Sequence, residues 1–213
     1  MKLLLASLAL ALCACGDNEH APPIDALGIP DLAVVPSQMT GTETIQNVGF
    51  DETSCEVVEG CVDAVGERRL LAFAAVTVNR GTADLDLGPV PPAGVSSGIF
   101  VWSPCHMHHH VIGYASFELL DQTGDVVVTG RKQAFCLEDD EQIEPGRPAK
   151  FSCAVQGITV GWADVYAADL PCEWIDVTDV PAGTYTIRVA IDPDAMFADG
   201  DRSNNVWVDT VEL

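Results

Sequence analysis

Six cysteines, Cys55, Cys61, Cys105, Cys136, Cys153 and Cys172, lie in the body of a chain whose first residues read as an export address. In an oxidising compartment an even set of this kind is a disulfide frame of three bridges. That frame constrains the fold more than any other feature, because it ties segments that are far apart in sequence. Spacing alone leaves the pairing open. No Cys-x-x-Cys pair is present, so a zinc ribbon is not indicated. At 213 residues the chain is long enough to bury a core of its own, so the bridges staple a core rather than replace one.

The export address is short. Met1-Lys2 is followed by apolar residues from Leu3 to Leu12, the charge and length of a secretory signal rather than of a membrane span. The next residues, Leu12-Cys13-Ala14-Cys15, resemble a bacterial lipobox, which makes Cys15 the expected lipidated residue after removal of residues 1–14. Residues 15–28, with Pro22-Pro23, read as a flexible tether. Residues 29–213 then form the folded domain. The expected location is the bacterial cell envelope, on the periplasmic or surface face, or the extracellular space, with membrane contact only through the lipid anchor.

Periodicity in this domain is that of strands. Tyr185, Ile187, Val189 and Ile191 alternate with smaller or polar residues after the turn Pro181-Ala182-Gly183. Ala115–Leu120 and Val126–Thr129 flank Gln122-Thr123-Gly124-Asp125 as a hairpin. Leu70–Val78 reads as one apolar strand, and Ile99–Trp102 and Val206–Val211 as others. Sustained helical periodicity is absent. The expected fold is mainly β: a β-sandwich core with long loops and few short helices, stapled by disulfides. The formal charge of -22 makes nucleic acid a poor partner and cationic ligands better ones.

Four of the five histidines fall in Cys105-His106-Met107-His108-His109-His110. On an extended segment the period-two spacing of His106, His108 and His110 puts them on one face, with Met107 and His109 on the other. Three imidazoles there can share one copper or zinc ion, and copper binds most tightly of the divalent first-row series. No fourth protein ligand stands nearby in sequence, which leaves positions for water or substrate.

The block Trp102–His110 is followed by Tyr114–Asp121, Gly130–Asp139, Gln156–Tyr166, Cys172–Pro181 and Asp199–Val206. Together, and in this order, these blocks resemble the catalytic domain of the lysyl oxidase family. The resemblance implies a copper amine oxidase of the protein-lysine 6-oxidase type, with His106, His108 and His110 as copper ligands. It also implies a quinone, lysine tyrosylquinone, built by joining Lys132 to Tyr166. Such an enzyme would use dioxygen to convert primary amines, either peptidyl lysine in a protein or small amines, to aldehydes with release of hydrogen peroxide and ammonia. Asp164, two residues from Tyr166, would share its face on an extended strand and is the candidate base. Animal members carry a further His past the copper motif; Ser116 stands at about that position here.

The resemblance also implies a calcium site. Asp199, Asp201, Asn204 and Asn205 offer hard oxygen ligands at close spacing, joined by Asp31 and by Leu32 through its carbonyl. It suggests the bridges Cys55–Cys105, Cys61–Cys172 and Cys136–Cys153, with Cys55–Cys61 still open. A fourth bridge of animal members lacks both partners, and Trp162 occupies one of the positions. Two other readings compete. An exported copper-binding protein on a β-sandwich scaffold, without oxidase activity, accounts for the histidines but not for Lys132 and Tyr166. A calcium-stiffened structural domain accounts for the sandwich and the Asp/Asn cluster alone.

Overall fold

The computed structural model describes residues 28–130, 135–145 and 147–213. In chain order its strands are β1 (Leu32–Val34), β2 (Thr44–Phe50), β3 (Gly66–Ala72), β4 (Ala75–Asn79), β5 (Leu85–Asp86), β6 (Phe100–Ser103), β7 (His108–Val111) and β8 (Ala115–Leu120). They continue as β9 (Val126–Thr129), β10 (Glu141–Gln142), β11 (Gly157–Ile158), β12 (Trp162–Tyr166), β13 (Trp174–Asp176), β14 (Thr184–Ile191) and β15 (Val206–Glu212). Two single-turn helices, α1 (Pro36–Met39) and α2 (Cys55–Val58), and a 3₁₀ turn at Arg202–Asn204 complete the described elements. The chain is mainly β, as the short apolar runs between turns predict.

The sheets are antiparallel, in the orders β15-β14-β8-β9, β1-β4-β12-β10 and β13-β3-β2, with the ribbons β6-β7 and β11-β5. Strand β14 pairs with β15 on one side and β8 on the other, and it turns Ile187, Val189 and Ile191 inward, all fully or nearly buried. The predicted hairpin is present between β8 and β9. Asp121 closes it by accepting the Thr123 and Asp125 N–H groups on its side chain. Phe117 of β8 meets Phe73 edge-to-face, with centroids 5.0 Å apart, so that ring pair bridges the sheets through the core.

One expectation is corrected. The apolar run Leu70–Val78 is two strands. Strand β3 ladders with β2 and β13, whereas β4 ladders with β1 and β12. The chain changes sheets at Phe73-Ala74, where Thr42 Oγ1 takes the Ala74 N–H at 2.9 Å. Both halves are buried, so hydrophobicity carries no mark of the switch.

Three disulfides join Cys55 to Cys105, Cys61 to Cys172 and Cys136 to Cys153. The first fastens α2 to the turn between β6 and β7. The second fastens the segment after α2 to the one before β13. Among the described residues no helix is long and apolar enough to cross a membrane. The residues assigned to the signal, Cys15 and all of the tether but Gly28 lie outside the described residues.

Candidate metal centre and its surroundings

The histidine cluster is built by the β6-β7 ribbon. Ser103 pairs with His108 and Val101 with His110, so His108 and His110 share one face of β7 with ring centroids 4.8 Å apart. His106 is not on the strand. It sits in the turn, followed by Met107 in the left-handed region at φ 60°. The extended three-histidine face read from the spacing is therefore corrected. Two imidazoles come from the ladder, and the turn folds the third back over them, with centroids 5.7 Å from His108 and 5.4 Å from His110.

The three side chains offer nitrogen atoms that all lie within 4.8 Å of one another, and the Nε2 atoms of His108 and His110 are 3.0 Å apart. Two nitrogens bound at about 2.0 Å to one ion stand roughly 2.8–3.4 Å apart. The donor set and its spacing thus fit one imidazole-bound copper or zinc ion. His109 turns the other way. It is buried, its Nε2 lies 2.8 Å from the Val95 carbonyl, and its ring meets Trp102 edge-on at 5.0 Å. Cysteine sulfurs also approach His108 and Glu59, but all four are tied up in the bridges Cys136–Cys153 and Cys61–Cys172.

Tyr166 ends β12, laddered to β4 opposite Ala75, and is 4% exposed. Its hydroxyl receives the Phe135 N–H at 3.3 Å. The Phe135 ring lies 6.2 Å from the Tyr166 ring and 5.2–5.7 Å from the three imidazoles. Burial holds the phenol well above its usual ionisation range. The charges of Asp164, Tyr114 and Glu173 add to this, and the Phe135 N–H opposes it. Tyr166 is a neutral phenol at neutral pH.

Asp164, two residues earlier, is 2% exposed. Its Oδ1 takes the Glu138 N–H at 3.1 Å. Burial raises this carboxyl well above the usual carboxylate range; the Glu138 N–H opposes that, Asp140 and Glu138 reinforce it, and the Tyr166 hydroxyl opposes it as a hydrogen-bond partner. Tyr114, also buried, meets the Tyr166 ring edge-on at 6.4 Å. Lys132 lies outside the described residues. Ser116 is placed on β8 opposite Ala190, on the sheet that carries Glu118 and Arg188.

Residues that the sequence reading did not single out hold these parts together. Gln156 is fully buried; its Nε2 donates to the His109 carbonyl at 2.9 Å and its Oε1 accepts the Leu137 N–H at 3.1 Å. It thereby fixes the histidine strand to the Phe135–Glu138 segment. The following Gly157 is forced, since a Cβ there would run into the Leu85 carbonyl oxygen and the Phe151 ring. Glu59 reaches the cluster from α2, with Oε2 3.4 Å from His106 Nδ1. Nothing in the spacing of the histidines points to these residues. Gln156 and Gly157 do open the block Gln156–Tyr166 that carries part of the resemblance, whereas Glu59 lies outside every such block.

At the opposite end of the chain, Asn204 Nδ2 donates to Asp31 Oδ1 at 2.9 Å and Asn205 Nδ2 to Asp199 Oδ2 at 2.7 Å. The Oδ1 atoms of both asparagines are buried without a hydrogen-bond partner among the described residues. Two orphaned amide oxygens beside two carboxylates fit a hard cation such as calcium. Leu32 opens β1 next to Asp31. Asp201 instead gives Oδ1 to the N–H and hydroxyl of Ser203, capping the 3₁₀ turn.

Comparison with known proteins places this geometry. The family model described as lysyl oxidase matches residues 37–213. A lysyl oxidase homolog 2 of Gallus gallus is 37% identical over 189 residues, covering 83% of this chain and 24% of that protein. The Homo sapiens lysyl oxidase homolog 2 is 34% identical over 221 residues, covering 93% of this chain and 28% of that protein. The lysyl oxidase homolog 2B of Danio rerio is 32% identical over 188 residues, covering 83% and 24%. The chain spans about a quarter of the length of these relatives.

Proposed function

The chain belongs to the lysyl oxidase family, and on that premise we propose that it is an exported copper amine oxidase acting on primary amines. His106, His108 and His110 hold the copper, and Lys132 and Tyr166 are the residues joined as lysine tyrosylquinone. With both in place, the centre would supply a redox metal and an electrophilic quinone through which a primary amine, dioxygen and water become aldehyde, ammonia and hydrogen peroxide.

One observation carries this reading: the imidazole trio and the Tyr166 phenol meet on the same residue, Phe135. Lys132 precedes Phe135 by three residues, and three peptide units span at most about 11 Å. The binding-module alternative gives this convergence no role.

The chain's own groups divide the remaining work. Phe135 and Tyr114 wall the Tyr166 ring with apolar surface and keep bulk water from it. Asp164 stands two residues before Tyr166 on β12, its carboxyl ionising well above the usual range because it is buried. A buried carboxyl with a raised pKa is matched to taking a proton from substrate carbon and returning it. The charge of -22 draws cationic amines, peptidyl lysine included. Asp31, Leu32, Asp199, Asn204 and Asn205 would form a calcium site that ties the first strand to the last, with Asp201 capping the turn beside it. Export and attachment through Cys15 rest on the sequence alone.

Phenylhydrazine labelling of copper-loaded, air-exposed protein tests the proposal. A visible absorbance band is expected in the wild-type chain. Lys132→Arg and Tyr166→Phe should keep copper and lose both the band and peroxide production. No band in protein verified to hold copper would leave the copper-binding alternative.

A further inference from the structure

We propose that Glu59 is a positioning residue for the metal centre, fixing the His106 imidazole through Nδ1 so that Nε2 faces the ion. The inference rests on the copper reading above and adds to it the group that orients one ligand.

The β6-β7 ladder fixes His108 and His110 through their backbone pairing, whereas His106 stands in the turn that joins the two strands. Glu59 is the C-cap residue of α2, its N–H bonded to the Cys55 carbonyl at 2.8 Å. Among the described residues its carboxylate meets Ser103 and His106: Oε1 takes the Ser103 hydroxyl, and Oε2 lies 3.4 Å from His106 Nδ1. The Ser103 oxygen in turn accepts the His106 backbone N–H at 2.9 Å. Carboxylate, hydroxyl, backbone amide and imidazole form a closed ring. The Glu59 and His106 side chains are only 10% and 19% exposed, so water competes weakly for these contacts.

The covalent frame serves the same ring. Cys55, four residues before Glu59, is bonded to Cys105, the residue before His106. Cys61, two residues after Glu59, is bonded to Cys172. The bridges leave the carboxylate little freedom to retreat from the turn. A ligating imidazole whose second nitrogen donates to a carboxylate is held in one tautomer and one orientation, and it becomes a better donor. Loss of such a partner costs about 10–100-fold in metal affinity.

Copper competition titrations and electron paramagnetic resonance on the full apo chain test this. Glu59→Ala should weaken copper binding by about 10–100-fold and change the copper hyperfine pattern. Glu59→Gln, which keeps an acceptor oxygen, should restore most of both. A folded Glu59→Ala protein with wild-type affinity and spectrum would overturn the inference, as would an affinity loss that Gln does not relieve. If the Ala variant does not fold, ¹⁵N spectra of wild-type apo protein decide: His106 protonated on Nδ1 supports the inference, and protonation on Nε2 alone refutes it. Wild-type protein that takes up no copper at the three histidines would instead remove the copper reading, and this one with it.

Discussion

The backbone N–H of Phe135 meets the Tyr166 hydroxyl at 3.3 Å, while the ring of the same Phe135 lies within 5.7 Å of each of three imidazoles. One residue thus spans the two chemical parts of the site. Residues 135–138 are pinned on both sides. Gln156 holds Leu137 to the histidine strand, and Asp164 holds Glu138 to the tyrosine strand.

The four neighbouring histidines should separate into two kinds. His108→Ala or His110→Ala removes a donor from a pair of nitrogens 3.0 Å apart. Copper affinity should fall by about 100-fold or more, with little change in the apo fold. His109→Ala should keep copper and lose stability by about 1 kcal/mol or more, because it removes a buried imidazole bonded to the Val95 carbonyl and empties the space beside Trp102. Metal analysis paired with thermal melts reads both effects.

Asp164→Asn should trade activity for stability in a pH-dependent way. The folded carboxyl ionises well above its ordinary value because it is buried. Below about pH 3.8 the group is neutral in both the folded and the unfolded chain, and the variant and wild type should melt alike. As pH rises past that value the unfolded chain ionises first, so wild type loses stability progressively until the raised pKa is passed. The variant is spared this loss and should melt at the higher temperature at pH 8. Its amine oxidation should fall by about 100-fold or more. Equal melting at pH 8 would show that burial does not penalise this carboxylate.

Calcium should stabilise the chain through its ends. The amide oxygens of Asn204 and Asn205 are buried beside Asp31 and Asp199 with no hydrogen-bond partner among the described residues. At a calcium concentration of 100 times the dissociation constant the gain is about 2.7 kcal/mol. For a domain of this size that is a rise of roughly 5–10 °C in melting temperature. Asp199→Ala should abolish the rise. A melting temperature indifferent to calcium and to chelator would remove the site.

What the sequence made legible was local or carried by whole blocks. The alternation at Tyr185–Ile191 gave β14, and the turn at Gln122–Asp125 gave the β8-β9 hairpin. The period-two histidines pointed to a shared ion, but two of them come from a strand and the third from a turn. Spacing of two residues is compatible with both, and a non-glycine residue in the left-handed region, Met107, leaves no trace in composition. The sheet change at Phe73-Ala74 was hidden because the residues on either side of it, Leu70–Ala72 and Ala75–Val78, are all buried. Glu59, Phe135 and Gln156 were passed over for another reason. Each acts across a long stretch of chain, through one carboxylate, one ring or one amide, and residue type alone does not announce such a partner.

Peptide mapping by mass spectrometry of copper-loaded, air-exposed protein tests the account at its centre. It predicts that the peptides bearing Lys132 and Tyr166 emerge joined through the lysine nitrogen and the tyrosine ring, and that withholding copper leaves them separate. Recovery of both peptides unmodified and unlinked, from protein shown to carry one copper per chain, would contradict it.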